Sequence, residues 1–179
     1  MNFQIDKSQK VLVTRATGFV ASWIVKQLLD VGVSVNATVR DSNDKNKVVH
    51  LLEMSKRGHG DVILFQANLL QPGSFNDSIA GCSIVFHTAS PFLLKFNDGQ
   101  KDLMDPAMNG TQNVLKAVNS VSSIERVVLT SSCAAIYGDA DECKLAPNGM
   151  LNEDIWNTTS LVTHQPYSYS KTVAKRKAS

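Results

Sequence analysis

Three side chains late in the chain could move a proton and steer a carbonyl. Tyr167 and Lys171 stand four apart in "YSYSK", a spacing that puts both on one face of a helix. A lysine ammonium beside a phenol lowers the phenol's pKa from its reference of about 10. Tyr167 then becomes a usable acid or base near neutral pH. Ser132, at the end of "RVVLTSS", offers a hydroxyl to an oxygen that gains negative charge as a carbonyl is reduced.

A second group lies near the start, in "VLVTRATGFVAS" (11–22). Arg15, Gly18 and Ala21 have the spacing of a dinucleotide-binding turn, with arginine in the place of the first glycine. In such a turn the first glycine allows the tight bend. The second lets the backbone approach a pyrophosphate, and the third, glycine or alanine, lets the helix pack closely. The helix N-terminus then offers N–H groups and partial positive charge to phosphates. Candidate cofactor residues here are Thr14, Arg15, Thr17, Gly18, Phe19 and Val20. Further on, Arg40 precedes Asp41 at the place where an acidic residue holds a ribose hydroxyl or an arginine accommodates a 2′-phosphate. Arg40, with Lys47 as a second partner, favours NADP(H) over NAD(H).

These residues must be positioned by alternating strands and helices. Strands are expected at 10–14, 34–40, 61–68, 83–90 and 126–132. Helices are expected over 18–32, with Val20, Ile24 and Leu28 at helical spacing and Gly32 as a stop, and over 44–58. A short helix opening at Pro72 is expected within 72–82. A long one should cover much of 99–121, kinked or begun by Pro106. A last helix begins near Pro166. Strand alternating with helix implies right-handed crossovers and a doubly wound parallel sheet with helices on both faces, an α/β Rossmann-type fold. Such a sheet binds ligands at the carboxyl ends of its strands, where the strand order reverses.

Composition narrows the classes. The chain has 179 residues, 43% hydrophobic and 19% charged, with a formal net charge of +2, which suits one soluble domain over 1–179. That charge is too small to argue for nucleic acid or membrane, and neither is expected as a partner. Cys82, Cys133 and Cys143 have no metal or redox spacing and read as reduced thiols; no metal site is expected. The start "MNFQIDKSQK" is polar and no apolar run is long enough to span a bilayer, so a cytoplasmic location is expected. The glycosylation patterns at Asn76, Asn109 and Asn157 read as unmodified.

Together these segments resemble the extended short-chain dehydrogenase/reductase superfamily, NAD-dependent epimerase/dehydratase-like, and within it the dihydroflavonol reductase and cinnamoyl-CoA reductase branch. The resemblance is carried by "VLVTRATGFVASWIVKQLL", "ATVRD", "VFHTASPF", "DPAMNGTQNVLKA", "RVVLTSS" and "YSYSKTVAK", in the family's order. It implies an NADP(H)-dependent oxidoreductase that transfers hydride to an aldehyde or ketone carbonyl of a small molecule. By position, Ser132 orients the carbonyl and Tyr167 donates the proton. Lys171 lowers the Tyr167 pKa and hydrogen-bonds the nicotinamide ribose. Arg40 and Lys47 match positions that grip the 2′-phosphate. Asn68 and Leu69 match the pair beside the adenine, and Thr88, Ala89 and Ser90 the strand end that passes the cofactor. Asn109 lies in the helix motif behind the active site. Counting back from Tyr137-Gly138, as suits the sugar-nucleotide epimerase branch, would put Cys133 in the place of Ser132; counting from the strand favours Ser132.

Three departures from the family pattern stand out. Arg15 replaces a glycine, Asn68 stands where aspartate is usual, and the sequence ends eight residues after Lys171 in the basic "AKRKAS". The family's later part finishes the sheet and supplies most of the substrate pocket. The expectation is therefore a fragment of a reductase with impaired activity, the alternative being a catalytically inactive NADP(H)-binding or regulatory protein. Substrate and oligomeric state are left open.

Overall fold

Five short strands run parallel in the order β3-β2-β1-β4-β5. They are β1 (Lys10–Val13), β2 (Val35–Val39), β3 (Val62–Gln66), β4 (Cys82–His87) and β5 (Arg126–Leu129). The α-helices are α1 (Phe19–Asp30), α2 (Lys45–Arg57), α3 (Asn76–Ile79), α4 (Asp105–Asn119) and α5 (Pro166–Ala178). The computed structural model describes residues 6–90, 93 and 95–178. Pro91 and Phe92 of "VFHTASPF", the first five residues of the polar start, and Ser179 lie outside the described residues. The architecture is the α/β Rossmann type. Two compact units divide the chain: one runs through Ala89 and resumes over Asn113–Thr130, the other comprises Ser90–Gln112 and the residues from Ser131 on.

The first unit holds the sheet. β1 and β2 are β-branched runs buried on both faces, as central parallel strands must be. One face packs Val11, Val13, Val35, Ala37 and Ile84 against Ala21, Val25, Leu28 and Leu29 of α1 and Val48 and Leu51 of α2. The other packs Leu12 and Val85 against Phe75, Ile79, Val114 and Ala117. Strand order reverses between β1 and β4, so the ligand-binding crevice of such a sheet falls at Thr14–Arg15 and His87–Ala89.

Several expected boundaries shift. The buried stripe of α1 is Ala21, Val25, Leu28 and Leu29, not the Val20, Ile24 and Leu28 spacing; Val20 sits in the first turn and is 53% exposed. Gly32 does follow the helix end, at φ +84°, with its N–H on the Leu29 carbonyl. The segment from Pro72 is not helical until Asn76: Gly73 takes φ +75° and turns link Gln71 to Ser74 and Gly73 to Asn76.

The fifth strand ends at Leu129 rather than at Ser132. Its neighbour β4 ends at His87, whose carbonyl takes the Thr130 N–H, and the strand pairing ends there. Strands expected to 14, 40, 68 and 90 likewise stop one to three residues early, because a strand lasts only as long as its neighbour.

In the second unit, the chain enters the long helix through a π-turn, Gln100–Met104, and passes into α4 at Asp105. Pro106, which lacks an N–H, follows directly on the π-turn inside a helical run that begins at Gln100, and withholds one ladder donor there. The wider turn before it delivers the Asp105 N–H to the Gln100 carbonyl. Gly99 lies under the start of α5: a Cβ there would stand 2.9 Å from Pro166 Cβ and 3.0 Å from the Val162 carbonyl. Short 3-10 turns at Cys133–Ala135, Ala140–Leu145 and Pro147–Gly149 fill the connection to α5.

Candidate functional site

In the first unit the turn after β1 is built on Thr14. Its buried Oγ1 accepts the N–H groups of Thr88 and Ala89, each at 3.0 Å, and lies 3.0 Å from His87 Nδ1. With two N–H groups accepted, the Thr14 hydroxyl proton is left for His87 Nδ1. Thr88 Oγ1 donates to the Thr14 carbonyl. The ends of β1 and β4 are therefore tied to each other by side chains as well as by the ladder. His87 itself was not among the candidates; a lone histidine at a strand end carries no distinguishing sequence signal.

Arg15 adopts φ +52°, the left-handed conformation that the first glycine of this turn exists to supply. The turn holds it from both sides. Its N–H donates to Thr38 Oγ1 at 3.1 Å, and its carbonyl accepts the Gly18 N–H at 2.8 Å. The arginine side chain is exposed. Gly18 is the extended residue before α1, and a Cβ there would meet the Arg15 carbonyl at 3.3 Å. The first turn of α1 has no acidic residue, and Phe19 at its start is 83% exposed. Ala21 is buried against the sheet, as the third position requires. An open helix N-terminus behind a close-approach glycine suits a phosphate group.

Arg40 and Asp41 are exposed just past β2. Lys47 is paired with Asp44 at 2.7 Å, and Asp44 also accepts the Lys47 N–H at the start of α2. The hydrogen bond to Asp44 raises the Lys47 ammonium above its ordinary pKa, Asp41 adds to this, and the neighbouring Arg40 charge opposes it. Arg40 and Lys47 are thus near enough for their charges to oppose each other.

Past β3, Asn68 is exposed and its Oδ1 accepts the Leu70 N–H at 3.0 Å. Leu69 is half-buried and packs on the core beside Phe75. Asn109 is exposed on α4. Thr17 and Thr88 are half-buried and Ala89 is buried, while Ser90 falls in the second unit.

In that second unit α5 packs against the turn Cys133–Ala135. Ser132 caps this turn, its Oγ accepting the Ala134 N–H at 3.2 Å from an extended backbone. Cys133 is exposed. Tyr167 and Lys171 share a face of α5; Lys171 is 8% exposed, with Nζ 5.9 Å from the Tyr167 ring centroid. Such depth is unusual for a lysine and needs a partner of opposite or π-rich character.

Two residues that sequence reasoning missed hold this region. Asn157, 3% exposed, donates from Nδ2 to the Ala134 carbonyl and to Ser160 Oγ, each at 2.8 Å, and accepts the Thr159 and Ser160 N–H groups. It was read only as a glycosylation pattern, which its burial excludes as an acceptor in this fold. Glu142 accepts the N–H groups of Gly138 and Asp139 and the Thr159 hydroxyl. Burial pushes the Glu142 carboxyl up, but these hydrogen bonds outweigh it and hold the group below its ordinary range. A Cβ on Gly138 would come within 2.6 Å of both the Ser160 and Thr159 hydroxyls. Near the end of α5, Lys175 stands 4.2 Å from the Trp156 ring centroid and donates to the Glu153 carbonyl.

Among the described residues no group of three His, Cys, Asp or Glu is placed to hold a metal ion, and no helix is long and apolar enough to cross a membrane.

Comparison with known proteins gives a family. The model of the NAD dependent epimerase/dehydratase family matches residues 11–178. The chain is 43% identical over 175 residues to a putative anthocyanidin reductase of Ginkgo biloba, covering 94% of this chain and 49% of that protein. It is also 43% identical to a cinnamoyl-CoA reductase of Medicago truncatula, covering 94% of this chain and 51% of the relative. Among solved structures, Gre2 of Candida albicans in complex with NADPH superposes with a TM-score of 0.79 at 33% identity, covering 95% of this chain and 52% of that one. The chain spans about half the length of the curated relatives it matches.

Proposed function

The chain belongs to the NAD dependent epimerase/dehydratase family, and from that premise we propose that it is the nucleotide-binding half of an NADPH-dependent reductase that delivers hydride to an aldehyde or ketone. The observation that carries this reading is the packing of α5 against the turn capped by Ser132, with Tyr167 and a buried Lys171 on one face of that helix.

The donor set of the first unit fits a nicotinamide dinucleotide. Gly18 and the N-terminus of α1 would receive the pyrophosphate, and Arg40 with Lys47 would receive the 2′-phosphate, which favours NADPH over NADH. Asn68 and Leu69 would hold the adenine side, and Thr88, Ala89 and Ser90 would contact the cofactor. When bound, NADPH supplies the hydride. Ser132 donates a hydrogen bond to the carbonyl oxygen and orients it. Tyr167 gives its phenolic proton to that oxygen as charge builds there. Lys171, buried on the same face, would stabilise the phenolate left behind and hydrogen-bond the nicotinamide ribose. Relatives named as a putative anthocyanidin reductase and a cinnamoyl-CoA reductase support a small organic compound as substrate.

The test is calorimetric titration of the chain with NADPH and with NADH, followed by NADPH oxidation with an aldehyde or ketone in the protein that carries it. NADPH should bind at least about tenfold tighter than NADH, and Tyr167→Phe should abolish turnover while leaving NADPH affinity intact. Failure to bind either nucleotide, or full turnover in Tyr167→Phe, overturns the reading.

A further inference from the structure

The loop that follows β3 is held from α4 by a residue of the "DPAMNGTQNVLKA" segment to which the sequence pattern assigns no role. Asn113, on the inner side of α4, reaches residues 69–73 through every polar atom of its side chain. Its Nδ2 donates to the Leu69 carbonyl at 3.0 Å and to the Gln71 carbonyl at 2.6 Å. Its Oδ1 accepts the Gly73 N–H at 3.2 Å. A primary amide has two donor protons and an acceptor oxygen, and here the loop takes all three functions.

The same loop is closed from inside by Ser74. Its Oγ accepts the Asn68 N–H at 3.2 Å and donates to the Asn68 carbonyl at 2.7 Å. Asn68 Oδ1 is itself engaged with the Leu70 N–H. Asn68 can offer a ligand its Nδ2, a donor, from a backbone that Ser74 holds at one end and Asn113 at the other.

From this arrangement we infer that Asn113 is a positioning residue for the adenosine half of the cofactor, acting through the 68–74 loop without touching the ligand itself. The inference rests on the nucleotide-binding reading above. Leu69 leans on the core beside Phe75, so its place is set by packing. No strand or helix pairs the carbonyls of Leu69 and Gln71 or the N–H of Gly73; Asn113 bonds all three, and the Gln71 carbonyl also accepts the Ser74 N–H. Aspartate at 113 would keep the shape and the bond from Gly73. It would also turn a carboxylate oxygen toward two carbonyl oxygens, and the loop would have to leave.

The probe is 2′,5′-ADP, which carries the adenosine and its 2′-phosphate but no nicotinamide. Its affinity for the 179-residue chain is measured by calorimetry alongside amide hydrogen exchange and the melting temperature of the unliganded protein. In Asn113→Asp, exchange at Leu70 and Gly73 should quicken while the sheet stays protected, and 2′,5′-ADP affinity should fall about tenfold, the scale of a lost hydrogen-bond set. Ser74→Ala, which is smaller and leaves α4 untouched, should lower the affinity in the same direction and carries the test if Asn113→Asp does not fold. Faster loop exchange with unchanged 2′,5′-ADP affinity in both variants reduces Asn113 to a structural clamp and overturns the inference. If the unsubstituted chain fails to bind 2′,5′-ADP, the nucleotide reading itself falls first.

Discussion

Arg15 shows how one residue can break a sequence rule and keep its geometry. The first position of the turn needs a left-handed backbone, and Arg15 takes φ +52° with its N–H on Thr38 and its carbonyl on Gly18. A non-glycine residue there costs roughly 1–2 kcal/mol, which the surrounding bonds hold in place. Arg15→Gly removes that cost but adds the unfolded-state freedom of glycine, so stability should move by less than about 1 kcal/mol. Arg15→Val, β-branched and ill suited to this region, should lose roughly 1–2 kcal/mol in denaturant melts. With the backbone already in place, the remaining effect of Arg15 on the cofactor comes from its side chain, and Arg15→Gly should tighten NADPH. Equal affinities would show that the arginine is tolerated.

At the end of β2 the two cations are not equivalent. Lys47 is shared with Asp44 at 2.7 Å and would have to leave it for a phosphate. Arg40→Ala should therefore erase most of the NADPH preference, about tenfold, while Lys47→Ala costs less. A larger loss from Lys47→Ala would reverse that order of importance.

At the scale of elements, the residues that matter are those tying irregular chain to regular chain. The stretch between Ser132 and α5 has no long helix or strand, and Asn157 gives it order through four side-chain hydrogen bonds in a buried position. Asn157→Ala should destabilise by roughly 2–4 kcal/mol, read by chemical denaturation, because it leaves the Ala134 carbonyl and two N–H groups without that partner. Its neighbourhood includes the turn that Ser132 caps, so reductase turnover should fall more than NADPH affinity does. Equal falls would mean that the variant had lost fold alone. None of this was legible in the sequence. Tyr167 and Lys171 could be paired from their spacing, because a helix brings i and i+4 together whatever surrounds it. The position of Ser132 relative to its strand could not, because β5 ends where β4 ends.

For the molecule as a whole, acid offers a test of the Glu142 network. Hydrogen bonds hold that carboxyl below its ordinary value of 4.5. Its contribution is thus complete above about pH 4.5 and is lost as pH falls through the lower, folded-state value. Melting temperature should drop through that window, and Glu142→Gln should flatten the drop while lowering stability at neutral pH. A slope unchanged by Glu142→Gln would assign the acid sensitivity to other carboxylates. The sequence by itself determined the fold class, the turn at 15–21, the cations after β2 and the Tyr167–Lys171 pair. All of these are local, set by strand and helix periodicity or by residues a few positions apart. Only the tertiary structure decided where the strands stop, that Arg15 takes a glycine's conformation, and which asparagines matter. Asn113 meets Leu69 across 44 positions and Asn157 meets Ala134 across 23. Hydrogen bonds of that kind depend on how elements come together, and no spacing rule along the chain announces them.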